Sequence, residues 1–219
     1  MRVAVLAAIL ATMICLPTTV ALAQNAAPQQ ESNNPNTWSE PDALRIVKEI
    51  RSGLLSLSTY GVFDSLHFAT KGRAVILEGY ASRPILKSDA EGVVKRIRGV
   101  ESVDNQIEVL PPSPNDDQIR ASVYRRIYTQ PALRKYTGSP VGFGRSPSVA
   151  RMAGGITQDP PIGFHAIHII VNNGKVILLG VVNNEGDATI AGMQANMASG
   201  AFSVDNALMV AGRPAAKAK

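Results

Sequence analysis

Cysteine is almost absent from the sequence. The single cysteine, Cys15, lies within an apolar N-terminal run, so a chain cleaved after that run would contain no thiol, no disulfide and no cysteine ligand for a metal ion. Histidine is also rare, and two of the three form the motif His165-x-x-His168. Side chains three positions apart on a strand point to opposite faces, so this pair does not predict a metal site.

Motifs of the common enzyme classes are absent as well. No Gly-x-Ser-x-Gly elbow occurs, and no serine stands with a histidine and a carboxylate at a recognisable spacing. The glycine-rich stretch at residues 142–147 lacks the Gly-Lys-Ser/Thr of a nucleotide cradle and does not lie between a clear strand and a helix. The sequence therefore predicts a protein that is not an enzyme and needs no cofactor.

The N-terminus has the residue order of a secretory signal. Arg2 supplies a positive charge, an apolar run follows from residue 3 to 16, and Ala21-Leu22-Ala23 provides small residues before Gln24. The run is shorter than the roughly 20 apolar residues that a membrane-spanning helix needs. We therefore expect cleavage after Ala23 and a periplasmic location, which removes nucleic acid as a partner.

An internal repeat is the most informative feature of the remaining chain. A shift of 101 residues, without a gap, aligns residues 63–105 with residues 164–206. The aligned identities include Val75-Ile76-Leu77 with Val176-Ile177-Leu178, Gly79 with Gly180, and Ser102-Val103-Asp104-Asn105 with Ser203-Val204-Asp205-Asn206. The proline-rich segment at residues 111–114 is then a joint, whose stiff extended backbone would hold the two copies a short distance apart.

The repeat and the composition together predict the domain organisation. Its segments are a signal peptide at residues 1–23, a disordered linker at 24–41, a first module at 42–110, a second module at 115–212 with a loop insertion at about 129–161, and a disordered tail at 213–219. The linker is rich in glutamine, asparagine, proline and serine, and it has too little apolar surface to offset the entropy of ordering.

Each copy has the pattern of five secondary-structure elements. Apolar residues at helical spacing predict a first helix, which spans residues 43–54 in copy one and begins at Asn115 in copy two. Asn172-Asn173-Gly174 predicts a tight type I′ hairpin turn, and Lys71-Gly72 marks the equivalent turn. The further predicted elements are strands at 66–70, 74–80, 166–171 and 175–182, second helices at 84–98 and 185–199, and a last strand in each copy.

The predicted fold class is α+β. Each of the two αββαβ modules would be a three-stranded mixed sheet with two helices on one face, and the helical crossover would make the third strand parallel to the second. Asn105 and Asn206 interrupt the apolar faces of the last strands. A buried amide needs hydrogen-bond partners, so we expect both to tie down a backbone bend near the end of the second helix.

These patterns resemble a known family. Val75-x-Leu77-x-Gly79, followed by Gly99-Val100-x-x-Val103-x-Asn105-x-Ile107-x-Val109, is similar to the BON domain, a module of bacterial envelope proteins. Copy two repeats it as Gly174-x-Val176-x-Leu178-x-Gly180 and Val204-x-Asn206-x-Leu208-x-Val210, with Ala201 where the family usually has valine. The resemblance implies a tandem BON-domain protein that binds phospholipid surfaces, serves envelope maintenance or osmotic stress, and carries no catalytic residues.

A basic, tyrosine-bearing stretch provides the candidate site. No acidic residue occurs from Gln118 to Gln158, and Arg120, Tyr124 and Tyr128 recur every four residues beside the predicted core stripe. Guanidinium groups attract phosphates, while tyrosine rings suit the apolar boundary of a membrane. The predicted site for anionic phospholipid comprises Arg120, Tyr124, Arg125, Arg126, Tyr128, Arg134 and Lys135.

Two alternatives remain open at this point. The basic helix could be a solvated helix whose tyrosines pack on the sheet edge, with no role in lipid binding. The protein could also be a chaperone-like or scaffolding module that receives an unfolded or partner envelope protein at an exposed sheet edge.

Overall fold

The computed structural model describes residues 37–138 and 155–212. The predicted signal peptide, most of the predicted linker, residues 139–154 of the predicted insertion and the C-terminal tail lie outside the described residues. Within the described ranges, no helix is long and apolar enough to cross a membrane.

Each module contains the five predicted elements, with the last strand split in two. The first module has α1 at Glu40–Leu55, β1 at Ser65–Lys71, β2 at Ala74–Ala81, α2 at Pro84–Lys95, β3 at Ser102–Asn105 and β4 at Glu108–Val109. The second has α3 at Pro114–Tyr128, a 3₁₀ turn at Arg134–Tyr136, β5 at Ile167–Asn172, β6 at Lys175–Val182, α4 at Glu185–Asn196, β7 at Ser203–Asn206 and β8 at Met209–Val210. The predicted α+β fold of two repeated modules is confirmed.

Capping residues set where the first helices begin. The Ser39 side chain accepts a hydrogen bond from the Asp42 N–H, and the Ser113 side chain accepts one from the Asp116 N–H. These bonds satisfy amide groups that the first turn leaves without a helical partner. Helix α1 therefore begins three residues before the predicted start at residue 43. Helix α2 ends earlier than predicted because its last residues form shorter-range bonds, such as Arg96 N–H to the Val93 carbonyl.

The sheets have the predicted mixed topology. β1 is antiparallel to β2, and β3 and β4 both run parallel to β2. The second module repeats this arrangement with β5 to β8. Gly79 and Gly180 have φ angles of 119° and 125°, and a Cβ at either position would collide with a carbonyl of the neighbouring strand. The two glycines in the repeat are thus required by the same close approach of backbones.

The equivalent asparagines make the same tertiary hydrogen bond. Asn105 Nδ2 donates to the Lys87 carbonyl of α2 at 2.9 Å, and Asn206 Nδ2 donates to the Ala188 carbonyl of α4 at 2.8 Å. Their predicted structural role is confirmed. The carbonyls belong to the first turn of each helix, however, and not to its end as expected.

The modules are interlocked, so the expectation that the proline-rich joint holds them apart is wrong. The described residues form two apolar cores, and each module provides most of one. The loop between α1 and β1 nevertheless inserts Val62 and Phe63, both fully buried, into the core of the second module. The Ile169 N–H donates to the Val62 carbonyl at 2.8 Å. A boundary drawn at the proline-rich joint therefore does not separate the packing of the two modules.

Trp38 shows that the ordered part of the first module begins before residue 42. Its indole Nε1 donates to the Gly99 carbonyl at 2.7 Å, and its half-buried ring packs against the first core. Residues 38–41 therefore belong to the ordered first module and not to the predicted disordered linker. This anchor closes the end of the first core next to α1.

Candidate anionic-surface site

Arg120 is buried inside the second module, which corrects its predicted place on a lipid-facing surface. Its side chain is 2% exposed, and Nη1 lies 2.7 Å from the Asp117 carboxylate, one turn earlier on α3. Nη2 donates to the Val171 carbonyl on β5 at 2.7 Å. Nη1 also donates to the Thr157 hydroxyl at 3.2 Å, which covers the guanidinium from the insertion. The arginine thus cross-links three segments and is not available to an external phosphate.

Tyr124 and Tyr128 are buried as well. The Tyr128 hydroxyl donates to the Ile167 carbonyl at 2.6 Å and accepts from the Ile167 N–H at 3.2 Å. Burial raises the pKa of the Tyr128 phenol well above its ordinary value. The Tyr124 hydroxyl lies 3.2 Å from His165 Nε2. Tyr128 covers the edge of β5, and Tyr124 packs beside it against His165 in the second core.

The four remaining residues of the predicted site are exposed. We call this set, which comprises Arg125, Arg126, Arg134 and Lys135, the basic cluster. Two members are in the last turn of α3 and two are in the 3₁₀ turn that follows. Cations at the C-terminal end of a helix also complement its dipole, so Arg125 and Arg126 contribute to helix stability whatever they bind.

Lys135 forms an ion pair within the protein, which partly neutralises the positive potential that it presents to solvent. Its Nζ lies 2.7 Å from Asp187 Oδ2, and the Tyr136 hydroxyl donates to the same oxygen at 2.6 Å. The hydrogen bond to Asp187 raises the pKa of Lys135, and the bond from Lys135 is the largest cause of the lowered pKa of Asp187. Lys135 therefore joins the 3₁₀ turn to the start of α4, and the arginines are the main cations of the cluster.

The histidines of the second module serve packing. His165 is buried against Tyr124 and Tyr128, and burial lowers its pKa. Burial also lowers the pKa of His168 to about 4, with a smaller opposing effect from the backbone of Gly61 and Asp64. Within residues 37–138 and 155–212, no group of three or more histidine, cysteine or acidic side chains could hold a metal ion.

Sequence reasoning missed the residues that join the modules. The Tyr60 hydroxyl lies 3.3 Å from His168 Nε2, and the Phe63 ring packs edge-on against Tyr124 with a centroid distance of 6.3 Å. Phe63 was aligned with Phe164 in the repeat, but an aligned aromatic residue does not reveal which core receives it. The only available signal was the apolar pair Val62-Phe63 between a helix and a strand.

Comparison with known proteins places this architecture in a family. The family model of the BON domain matches residues 67–111 and 152–212, which are parts of the first and second modules. No curated protein matches the chain significantly.

Two solved structures share a weak likeness. The C-terminal domain of CdsD, the structural protein of the type III secretion system of Chlamydia trachomatis, is 16% identical, with 75% of this chain and 96% of that chain covered and a TM-score of 0.24. A second structure of CdsD is 17% identical, with 76% and 92% covered and a TM-score of 0.23. These scores are too low to carry an argument.

The family match agrees with the duplicated fold and gives its general role. BON-domain proteins are typically periplasmic or envelope-associated, they generally bind membrane phospholipids, and the family is generally non-enzymatic. The two matched segments lie in the two modules that the 101-residue repeat defines. The chain is therefore a tandem BON-domain protein.

Proposed function

We propose that the protein is a periplasmic, non-enzymatic binding protein that supports envelope maintenance or osmotic stress resistance by docking on anionic phospholipid. The observation that carries this proposal is the exposed basic cluster at the end of α3. No acidic residue occurs in the sequence from Gln118 to Gln158, so the charge of the cluster is not offset by its sequence neighbours. The general association of BON domains with phospholipid membranes supports the same function.

The expected affinity is modest. A basic side chain near an anionic surface contributes roughly 1 kcal/mol, so the cluster contributes about 4 kcal/mol, or about a thousandfold enrichment at the surface. The ion pair with Asp187 lowers the share of Lys135. Buried Arg120, Tyr124 and Tyr128 add nothing to this figure, because they face the interior. Binding should therefore be electrostatic, reversible and weakened by salt.

Vesicle flotation tests the proposal. The full chain, produced with its own N-terminus so that any processing occurs, is mixed with vesicles of phosphatidylcholine alone or with added phosphatidylglycerol. The double variant Arg126→Gln/Arg134→Gln removes two exposed charges of the cluster. The matched control is Lys48→Gln/Arg51→Gln, which removes two exposed charges from α1 in the first module.

The proposal expects binding only to vesicles that contain phosphatidylglycerol. The cluster variant should lose about 30-fold in affinity, whereas the control should stay near the wild type. Absence of binding at low salt, or equal losses in the two variants, would contradict a role for the basic cluster.

A scaffolding function is the second candidate, and the outer edge of β1 favours it. Among the described residues, the Phe68 N–H on that edge makes no hydrogen bond. An open strand edge can accept an extended segment of another polypeptide. Suppression of aggregation of an unfolded envelope protein, insensitive to salt, would support this candidate over lipid docking.

A further inference from the structure

The loop that precedes the sheet is buried in the first module and exposed in the second. We call residues 61–64 loop 1 and residues 162–165 loop 2, since the 101-residue shift aligns them. Loop 1 is buried against the second module through Val62 and Phe63. In loop 2, Ile162 is 78% exposed and Phe164, the counterpart of Phe63, is 66% exposed. The second module thus presents to solvent the apolar element that the first module uses for docking.

The outer edge strand is covered in the second module and largely uncovered in the first. On β5 the outward-facing positions are Ile167, Ile169 and Val171. They are covered by the Tyr128 hydroxyl, the Val62 carbonyl and the Arg120 guanidinium respectively. Every outward position of β5 therefore has a hydrogen-bond partner.

The register of β1 on β2 is the same, so its outward positions are Leu66, Phe68 and Thr70. The backbone of Leu66 has a hydrogen-bond partner in the Tyr60 hydroxyl. No described residue makes a hydrogen bond to the backbone of Phe68 or Thr70 beyond the strand pairing with β2. The first module thus lacks the cover that loop 1 gives to the second.

Side-chain burial on the two edge strands follows the same difference. Ile167 and Ile169 are fully buried, whereas their counterparts Leu66 and Phe68 are only half-buried. The first module therefore has uncovered apolar surface at the position where the second module receives loop 1.

We propose that copies of this chain associate head to tail, with loop 2 of one copy docked on the outer edge of β1 in the next copy. The occupant is a second copy because the contact continues the interface that already joins the two modules within one chain. The docking element and the receiving edge are different surfaces of the same chain, so the contact is heterologous and propagates beyond a dimer.

The proposed contact depends mainly on the side chains of loop 2, because the backbone of loop 2 does not follow the same path as that of loop 1. Gly163 stands where loop 1 has Val62, and its φ angle is 109°. The Gly138 N–H donates to the Phe164 carbonyl at 2.9 Å, so loop 2 is held in place by its own module. Phe164 is accordingly presented on an anchored loop. It covers Leu66 and Phe68 of the neighbouring copy and reproduces the apolar part of the internal contact.

Light scattering during size-exclusion chromatography, over a range of concentrations, tests this inference on the full chain produced with its own N-terminus. Phe164→Ser removes the docking side chain. Thr70→Pro blocks the receiving edge without breaking a bond to β2, since the Thr70 N–H faces outward. Thr70→Lys is a second way to block the edge. The matched control is Phe202→Ser, because Phe202 is 84% exposed and lies outside loop 2.

The mass of the wild type and of the Phe202→Ser control should rise with concentration past that of a dimer. Phe164→Ser should weaken association about 10- to 100-fold, as expected for losing the burial of one phenylalanine. At a concentration where Phe164→Ser and Thr70→Pro are each monomeric alone, a mixture of the two should form a dimer and no larger species. That result follows because one variant retains the edge and the other retains the loop.

Several results would overturn the inference, which is independent of lipid docking. A monomeric wild type, a mass that stops at a dimer, or a variant mixture that stays monomeric would each do so. An equal loss of association in Phe202→Ser and Phe164→Ser would also overturn the inference. A loss of vesicle binding by Phe164→Ser with no change in mass would assign loop 2 to the membrane instead.

Discussion

Truncation of Phe63 to alanine tests whether the two BON modules fold as one unit. The residue belongs to the loop after α1, but its fully buried ring lies in the core of the second module and packs edge-on against Tyr124. The substitution therefore leaves the first core intact and opens a cavity in the second.

The cost follows from the burial of the ring. Truncation of a fully buried phenylalanine to alanine lowers the free energy of unfolding by about 3 to 5 kcal/mol. The loss falls on the second module and on its coupling to the first, because Phe63 belongs to the second core and not to the first. We therefore expect the second module of the variant to unfold at a lower denaturant concentration than the first.

Two probes separate the modules during unfolding in guanidinium chloride. Trp38 is the single tryptophan and packs on the first core, so its fluorescence reports the first module alone. Far-ultraviolet circular dichroism reports the helices of both modules. The two transitions should coincide in the wild type and separate in Phe63→Ala, with the circular dichroism signal beginning to change before the fluorescence.

Leu86→Ala is the matched control, because Leu86 is fully buried in the first core. It should lower the Trp38 transition directly. If Phe63→Ala kept coincident transitions with a loss below about 1 kcal/mol, the loop would not be a structural part of the second core, and the interlocked description would be refuted.

Three further predictions concern polar groups that have hydrogen-bond partners within the protein. Arg120→Met should lower the free energy of unfolding by about 3 to 5 kcal/mol, because Asp117 and the Val171 carbonyl lose their partner, yet vesicle flotation of the folded variant should match the wild type. Folding lowers the pKa of His168 from 6.5 to about 4. Between these two pH values the unfolded state binds more protons than the folded state. The free energy of unfolding should therefore fall by roughly 3 kcal/mol at most as the pH is lowered from 6.5 to 4. Denaturation at several pH values checks this, and His168→Gln should flatten the slope. Asn105→Ala and Asn206→Ala should each cost about 1 to 2 kcal/mol in denaturation, because each removes the hydrogen bond from the last strand to the second helix.

The repeated part of each module could be predicted from the sequence because local signals there agree. Asn173 and Gly174 adopt the positive φ angles that their hairpin turn requires, at 51° and 77°. The shared glycines and asparagines indicated positions where the backbone of both copies has the same conformation. The crossover between strands has few allowed forms, so the parallel third strand followed from general topology.

Four residues of the predicted site are exposed and three are buried, and lipid binding by the exposed four stays a prediction. Arg120, Tyr124 and Tyr128 form a stripe directly beside the core positions of α3, and a stripe so placed can either extend the buried face or face solvent. Contacts from distant segments decided the outcome, since Thr157 of the insertion and His165 of loop 2 provide partners for Arg120 and Tyr124. Those contacts span 37 and 41 residues, so no local pattern could show them.

The two modules keep one backbone plan and differ in how the edge beside the first helix is closed. In the second module Tyr128 and Arg120 of α3 and the Val62 carbonyl of loop 1 close the β5 edge, while among the described residues of the first module Tyr60 alone closes the start of β1. Head-to-tail association would supply the missing cover and would also place one basic cluster per copy along the assembly. Because linked weak sites bind a surface with an affinity above that of any one site, an assembled array would strengthen the modest binding of a single cluster. Vesicle binding of the wild type should therefore rise more steeply with protein concentration than that of Phe164→Ser. At low concentrations, where both are monomers, the two curves should coincide.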